Sequence, residues 1–448
     1  MSDSLLIRNG RIIDPANGVD LARGDVLVDD GRVVAVGTGL TPPPAPSPST
    51  GRGFREIDAT GLVVAPGFVD LHTHLREPGF EYKETVETGT RAAARGGFTT
   101  VCAMPNTEPT MDSRATVDFV MERAAEGAAV RVFPIGAVTK GRAGKQLAEF
   151  GELAEAGCIG FSDDGNPVGD AAIMRRALEY AANFGLPIID HCEDPQLAGG
   201  VMHEGWVSAR LGLRGIPSAS EENMVARDIA LAKQTGAHVH LAHLSTAGSV
   251  DLVRRAKADG VQVTAEVTPH HLALNHKRIM HTPGVAGLTY DTNAKMYPPL
   301  RASEDAAACL AGLLDGTIDA IATDHAPHAV QEKLCEFDDA ANGIIGLETA
   351  LSLCLMAGAP VERVVEALTI GPVRALGLDR RVEGIGTLSV GAPADIVLFD
   401  PNREWVEQRE TILSKGKNTP VFGMTLRGQV MTTVYGGAVV YEAEGVAV

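Results

Sequence analysis

Between residues 66 and 375, short apolar runs alternate with longer Ala-rich stretches, and this alternation narrows the available folds more than any other feature of the chain. The apolar runs lie at 67–72, 99–104, 131–137, 157–162, 187–191, 238–243, 262–266 and 320–323. Among the stretches between them, 84–95, 116–126, 171–184, 222–234, 246–259 and 304–314 carry helix formers with apolar residues at i, i+3 and i+4. That spacing gives a helix one buried face. Strands that alternate with helices build a parallel sheet, and eight repeats over roughly 300 residues predict a (β/α)8 TIM barrel in an α/β chain. The alternative is an open doubly wound sheet. No GxGxxG follows the first run, which weakens a nucleotide-binding version of it.

The two ends read differently. Runs at 5–7, 26–28 and 33–36 are separated by NG, DG and Gly-rich turns, which is hairpin chemistry. From about residue 380, the runs 384–388, 394–399, 424–426 and 430–441 have the same style. The expected division is 1–65 and 376–448 as two parts of one smaller composite β domain, built from both termini around a barrel at 66–375. The Pro/Ser-rich TPPPAPSPST at 41–50 reads as an exposed loop joining strands.

Charge and composition exclude several classes of function. The 448 residues include 39 Lys+Arg against 57 Asp+Glu, a net charge of -18. No basic field exists to hold nucleic acid or an anionic membrane surface. No apolar run reaches the ~18 residues that span a bilayer. The start, MSDSLLIRNGRIID, has no basic region followed by an apolar core, so no secretory signal is expected. Cys102, Cys158, Cys192, Cys309, Cys335 and Cys354 are scattered and form no CxxC. They read as reduced, buried small hydrophobes of a cytoplasmic protein.

The chemistry collects at the ends of the apolar runs. His72 and His74 form an HxH at the end of the first, where alternation puts both imidazoles on one side. His191 ends the fifth, His243 the sixth, and Asp324 follows the eighth. In a barrel these ends face one mouth. Four imidazoles and a carboxylate converging there predict a metal site, with Zn2+ as the best match. His238 and His240 fall on the opposite side of their strand from His243 and read as structural. His270 and His271 line the mouth without ligating, and His203, His276 and His281 read as surface residues. Asp163-Asp164 before Gly165 has, by itself, the composition of a solvated turn. KGRAGK at 140–145, after the third run, reads as a solvated loop, with a lid or partner contact as the alternative.

VDLHTHLREPG at 69–79, and ATDHAPH at 322–328 followed by Lys333, resemble the two signature motifs of dihydroorotases, within the amidohydrolase superfamily. AMPNT (103–107), FSDDG (161–165), DHCED (190–194), AHLST (242–246), PPLR (298–301) and the GIGTL…GAPADIVLFDP tail extend the likeness over almost the whole chain. It is nearest to the long bacterial class, type I.

The resemblance implies reversible, zinc-dependent cyclisation of N-carbamoyl-L-aspartate to (S)-dihydroorotate in de novo pyrimidine synthesis. It implies one or two zinc ions, the first held by His72, His74 and Asp324 and the second by His191 and His243. Asp164 bridges them in place of the superfamily's carboxylated Lys, which 157–165 lacks. Asp324 acts as general base and acid, and metal-bound hydroxide is the nucleophile. Arg76, Asn106 and His328 meet the substrate carboxylate side, with His74 also at the substrate. Asn342 and Gly343 stand where the family uses the backbone of a Phe-Gly pair, and Tyr297 where it commonly has Asn. The rival functions are a hydantoinase- or allantoinase-like amidase and a homologue that scaffolds aspartate transcarbamoylase. The former usually keep the Lys and lack HLREP. A homo-oligomer is expected.

Overall fold

The computed structural model describes residues 4–41, 53–282 and 284–443. The expected loop at 41–50 falls, apart from Thr41, outside them.

The N-terminal end supplies β1 (Ser4–Asp14), β2 (Val19–Asp29), β3 (Arg32–Gly37), β4 (Phe54–Asp58) and β5 (Val63–Pro66). β1, β2 and β3 form an antiparallel meander, while β4 and β5 pair parallel to successive halves of β1. The barrel strands are β6 (Phe68–Thr73), β7 (Phe98–Ala103), β8 (Arg131–Pro134), β9 (Ile188–Asp190), β12 (Val239–Leu241), β13 (Val263–Val267) and β14 (Ala320–Ile321). Two-residue strands β10 (Met202–His203) and β11 (Gly215–Ile216) pair with each other outside the ring. The C-terminal end adds β15 (Ile396–Val406), β16 (Thr425–Tyr435) and β17 (Ala438–Glu442).

One contact joins the two ends. β15 runs antiparallel to β5, from Ile396 opposite Pro66 to Phe399 opposite Val63. The result is one sheet in the order β17-β16-β15-β5-β1-β2-β3, with β4 beside β1. Leu5, Ile7, Val26, Val28 and Val33 pack with Ile396, Leu398 and Val434 in a single apolar cluster. The expected strand at 384–388 is absent. Gly384 and Gly386 both have left-handed backbone there (φ 78° and 74°), which an extended strand cannot accommodate.

The parallel ring follows the sequence order, and its fourth member departs from the expectation. Residues 157–162 make no regular strand, yet they bond to both neighbours. Ile159 N–H donates to Pro134 O (3.0 Å) and Ser162 N–H to Gly136 O (2.8 Å). On the other side Phe161 N–H donates to Pro187 O (3.1 Å) and Ile189 N–H to Phe161 O (2.8 Å). This segment advances three residues while its neighbour advances two, so an extra residue bulges out and re-aims the chain that leads to Asp163 and Asp164.

The ring closes between its eighth and first members through a side chain as well as the backbone. Thr73 bridges His325 in parallel, and His74 N–H donates to His325 O (2.9 Å). Below that bridge, Asp70 Oδ1 accepts from the backbone of Thr323 (3.0 Å) and His72 (3.1 Å), and Oδ2 from the Thr323 hydroxyl (2.5 Å). Burial pushes the Asp70 carboxyl up to about 6, against the pull of those donors.

Apolar residues of alternate parity fill the two sides of the ring. Phe68, Phe98, Val101, Val239, Leu241, Val267 and Ile321 pack against helix residues such as Val117, Leu178, Val225 and Val253. Val69, Leu71, Cys102, Ile135, Ile159, Ile189 and Ala322 form the inner cluster, with Val373, Leu376 and Ile385. Phe68 also meets Phe98 and Phe399 (ring centroids 5.7 and 6.1 Å), so barrel and sheet share apolar contact. Arg131 donates to Asp395 (2.7 Å) across the same junction.

The seam predicts an asymmetry between two substitutions. Asp70→Ala strands two buried backbone N–H groups and a hydroxyl, at about 1–3 kcal/mol for each orphaned group. Asp70→Asn keeps an acceptor for the backbone and costs about 1 kcal/mol. Urea unfolding of both variants checks this; equal losses refute it.

Candidate metal centre

The expected ligands meet at the mouth formed by the carboxyl ends of the strands. His72 ends β6 and is fully buried, as are His191, His243, Asp164 and Asp324 to within a few per cent. Rings of His72 and His243 lie 5.1 Å apart, and those of His191 and His243 4.6 Å. Asp164 Oδ1 faces His72 Nε2 (3.3 Å), His191 Nδ1 (3.4 Å) and His243 Nε2 (3.6 Å). Its Oδ2 faces His74 Nε2 at 3.6 Å. Asp324 Oδ1 lies 2.9 Å from His74 Nε2 and 3.5 Å from His72 Nε2.

Turning the side chains into the mouth takes unusual backbone. Arg76 (φ 63°), His243 (φ 36°) and Asp324 (φ 46°) all lie in the left-handed region, which costs a side-chain-bearing residue on the order of 1–3 kcal/mol. At His243 the kink follows β12 and corrects the expected alternation. His240 points inward along the strand, and His243, which regular alternation would turn outward, is swung to the mouth.

The donor set fits a divalent cation. His74 Nδ1–H donates to Asn106 Oδ1 (2.8 Å), so Nε2 carries a lone pair toward two carboxylates. His72 Nδ1–H donates to Glu266 Oε1 (2.9 Å), with the same consequence at its Nε2. His72 Nε2 and both ring nitrogens of His191 and His243 are buried with no hydrogen-bond partner. Acceptors that face acceptors need a proton or a cation between them. Tetrahedral ligands about 2.0–2.1 Å from a zinc ion stand roughly 3.4 Å from one another, the separation seen around Asp164 Oδ1. At the mouth, two groups of donors lie close enough to share an ion: His72, His74 and Asp324, and His72, Asp164 and His243.

Local electrostatics agree. Burial would raise both carboxyls, but His72 and its neighbours hold Asp164 and Asp324 well below the usual carboxylate range. Burial pulls His72 down, and Asp324 with Asp164 overcomes this and holds it well above an ordinary imidazole, so a proton fills the gap at its Nε2 wherever no cation does. Burial, and then the charge of Arg76, lowers His74.

The other expected residues surround this centre. Arg76 is half-buried; its guanidinium makes one protein hydrogen bond, to Pro327 O (3.3 Å), among the described residues. Burial lowers it to about 10, which leaves it cationic at neutral pH. Asn106 serves two neighbours at once, since its Nδ2 also donates to Asp164 Oδ2 (3.3 Å). Tyr297 lies over His191 with centroids 4.6 Å apart. His328 Nε2–H donates to the carbonyl of Asn342 (2.8 Å), while the Asn342 side chain is exposed. Gly343 spends its N–H on Lys295 O, and its carbonyl accepts from Asn418. A Cβ at Gly343 would stand 2.7 Å from Ala326 O, at φ 152°, so only glycine fits.

Some readings of the sequence need correcting. Arg142, in the 140–145 loop, reaches down to donate to the backbone carbonyl of Asp164, so this loop is docked on the centre rather than merely solvated. Asp163 binds that loop from below, accepting from the backbone of Val138 (2.9 Å) and Thr139 (3.0 Å). His203 and His276 are buried, with rings 5.3 Å apart, and Cys335 is exposed. His271 is committed to the Thr268 hydroxyl and Pro298 O.

Sequence reasoning missed three supports. Arg301 of PPLR donates to Glu193 (2.8 Å) and Ser245 (3.0 Å), tying the loops after β9 and β12 to the segment that carries Tyr297. Asn418 accepts from His328 N–H (2.9 Å) and donates to Ala326 O and Gly343 O. Glu266 sits behind His72; a charged residue at the end of an apolar run was its one visible signal. Beside His328 a small recess is lined by Lys333, Arg409, Lys417 and Asn418, a basic recess on an acidic protein.

A similar architecture occurs in L-hydantoinase (dihydropyrimidinase) from Arthrobacter aurescens, at TM-score 0.84 and 25% identity over 100% of this chain and 98% of that one. D-Hydantoinase (dihydropyrimidinase) from Thermus sp. matches at TM-score 0.81 and 26% identity over 98% and 96%. Fold and centre together define a cyclic-amide hydrolase of the amidohydrolase superfamily. A family profile described as Dihydro-orotase-like matches residues 61–249. Proteins named dihydroorotase from Anaeromyxobacter sp. (strain K) and Geobacter sp. (strain M21) are 54% and 50% identical over 447 and 445 residues. These alignments cover 99% of both chains in the first case, and 98% of this chain and 100% of the relative in the second. The chain belongs to the dihydroorotase family. No helix among the described residues is long and apolar enough to cross a membrane.

Asn418 lies far from the metal donors in sequence, and its removal tests the mouth's construction. Asn418→Ala leaves two carbonyls and one N–H without their buried partner. The expected result is a KM raised about tenfold, near the ~1.4 kcal/mol of one lost buried hydrogen bond, with metal content unchanged. Steady-state kinetics and metal analysis check it.

Proposed function

We propose that the chain interconverts N-carbamoyl-L-aspartate and (S)-dihydroorotate in de novo pyrimidine synthesis, with zinc as the metal, one or two ions per subunit. One observation carries this reading beyond that of a generic cyclic amidase. A half-buried guanidinium, Arg76, stands at the same mouth as the six metal donors, with one hydrogen bond to the rest of the described protein. A planar cation of that kind selects a substrate with a free carboxylate. The strand-four segment 157–165 contains no Lys, which also separates the chain from the hydantoinase pattern.

In this reading His72, His74 and Asp324 would hold one ion, His191 and His243 would hold the other, and Asp164 would contribute to the same centre. Divalent cations held there would supply an activated water and Lewis-acid polarisation of the ring carbonyl. Arg76 anchors the substrate carboxylate, helped by His328 and Asn106, and the basic recess beside His328 draws an anionic substrate to a protein of net charge -18. Tyr297 and the Asn342–Gly343 backbone flank the ring. Asp324, ionised at neutral pH, accepts the proton of the attacking water and delivers it to the departing ring nitrogen. Run in reverse, it takes the proton from the carbamoyl nitrogen as the ring closes.

The pairing of β5 with β15 supports the division into a barrel at 66–375 and a composite β domain from 1–65 and 376–448. A cytoplasmic location fits five buried, unpaired cysteines. Self-association and a contact with aspartate transcarbamoylase belong to the same reading; the intact donor set favours an active enzyme over a pure scaffold.

Ring opening of dihydroorotate by zinc-replete protein, beside hydantoin and allantoin, tests the assignment. Selective turnover of dihydroorotate is expected; preference for an uncharged ring would overturn it. Asp324→Asn should lower turnover by about 10²–10⁴-fold while most of the metal stays bound. Arg76→Met should raise KM for carboxylated substrates by roughly 10–100-fold, the worth of a charged hydrogen bond, and leave uncharged cyclic imides unaffected.

A further inference from the structure

Behind the metal centre a chain of hydrogen bonds runs through the inside of the barrel. Glu266, on β13, is 1% exposed and touches two imidazoles: His72 Nδ1 at 2.9 Å from Oε1 and His240 Nε2 at 3.0 Å from Oε2. His240 Nδ1 lies 2.8 Å from the Thr264 hydroxyl, which lies 2.7 Å from His238 Nε2. No Lys or Arg pairs with Glu266 among the described residues.

With neutral imidazoles and an ionised Glu266, the proton positions along this chain follow by elimination. An ionised carboxylate only accepts, so His72 Nδ1 and His240 Nε2 must both carry hydrogen. His240 Nδ1 then has only a lone pair and takes the Thr264 hydroxyl proton. The Thr264 oxygen in turn accepts from His238 Nε2–H. Every group in the chain has the partner it needs. The opposite tautomer of His72 would set two acceptors against each other at 2.9 Å, inside the protein, where nothing compensates for the repulsion.

The four imidazoles of the centre are therefore not equivalent. A neutral amide backs His74, through Asn106. Neither ring nitrogen of His191 or His243 has a hydrogen-bond partner. His72 alone is backed by a carboxylate, and His72 is the residue common to both candidate ligand groups. A carboxylate behind an imidazole fixes its tautomer and strengthens its other nitrogen as a donor.

We infer that Glu266, held in place by His240, is a positioning residue that presents His72 Nε2 to the metal and sets the affinity of the centre. Glu266 touches neither substrate nor metal. The inference rests on the metal reading of the mouth proposed above.

The test is metal affinity, read apart from turnover. Metal-free full-length protein is titrated with zinc against a chromophoric chelator, and with cobalt(II) while its visible absorption bands are recorded. Glu266→Gln keeps the side-chain length and an acceptor for His72 but removes the charge. It should weaken the tightest zinc site by about 10–100-fold and shift the cobalt bands. A merely structural role would lower thermal stability and leave both readings at their parental values. A folded Glu266→Gln protein that binds zinc within about threefold of the parent overturns the inference. Should that variant fail to fold, His240→Gln is read in its place, with a severalfold loss of zinc affinity expected and parental affinity overturning the proposal. A parent chain that takes up no zinc would instead bring down the metal reading itself, and these outcomes are distinguishable in one titration series.

Discussion

Asp164 and Asp324 are buried against the ring nitrogens of four imidazoles, a packing that needs protons or cations between the groups, and the rest of the molecule is arranged around it. Two carboxylates out of water are costly to keep ionised. Two of the nearest imidazoles commit one N–H elsewhere, His74 to Asn106 and His72 to Glu266, while the ring nitrogens of His191 and His243 have no hydrogen-bond partner. The arrangement makes physical sense when cations lie between the donors. Much of the surrounding structure prevents these groups from relaxing into ordinary hydrogen bonds with one another.

That restraint comes from several elements at once. Asp70 stitches the seam of the ring directly beneath His72, so the first strand cannot slide against the eighth. The bulge at the fourth position and the Asp163 loop bond bring Asp164 into the mouth, and Arg142 closes over its carbonyl. Arg301 joins the loops behind His191 and His243. Asn418 arrives from the segment between β15 and β16 and clamps the loops that carry His328 and Gly343. The composite sheet thus contributes to the mouth, although it supplies none of the metal donors.

Local strain accompanies this organisation. Three residues at the mouth, Arg76, His243 and Asp324, adopt left-handed backbone without being glycine. A regular strand would direct these side chains elsewhere, and the fold pays for the deviation with the large apolar layers on both sides of the ring.

The parallel barrel was legible because each strand and helix writes its own periodicity, and short-range burial enforces it. The metal donors were legible because strand ends of a barrel share one face, so that HxH, His191, His243 and Asp324 could be placed together without knowing any distance. Within the family resemblance, the spacing of 27 residues to His191 points to Asp164 rather than Asp163; the composition of DDG permits either. The extra strand at 384–388 was misread because the apolar run there is interrupted by glycines that turn left-handed. His203 and His276 were misread because burial outside a periodic element leaves no pattern.

The sequence by itself determined the fold class and the kinds of candidate metal donor, since both follow from residue type and local spacing; the place of Arg76 beside an anionic substrate came from family resemblance. Only the tertiary structure decided that β15 completes the sheet begun by β1, that Asn418 holds His328, and that Glu266 backs His72. Those contacts join residues 90 to more than 300 positions apart. No local periodicity encodes such a pairing; it exists only once the chain has closed on itself and excluded the water that would otherwise satisfy each group.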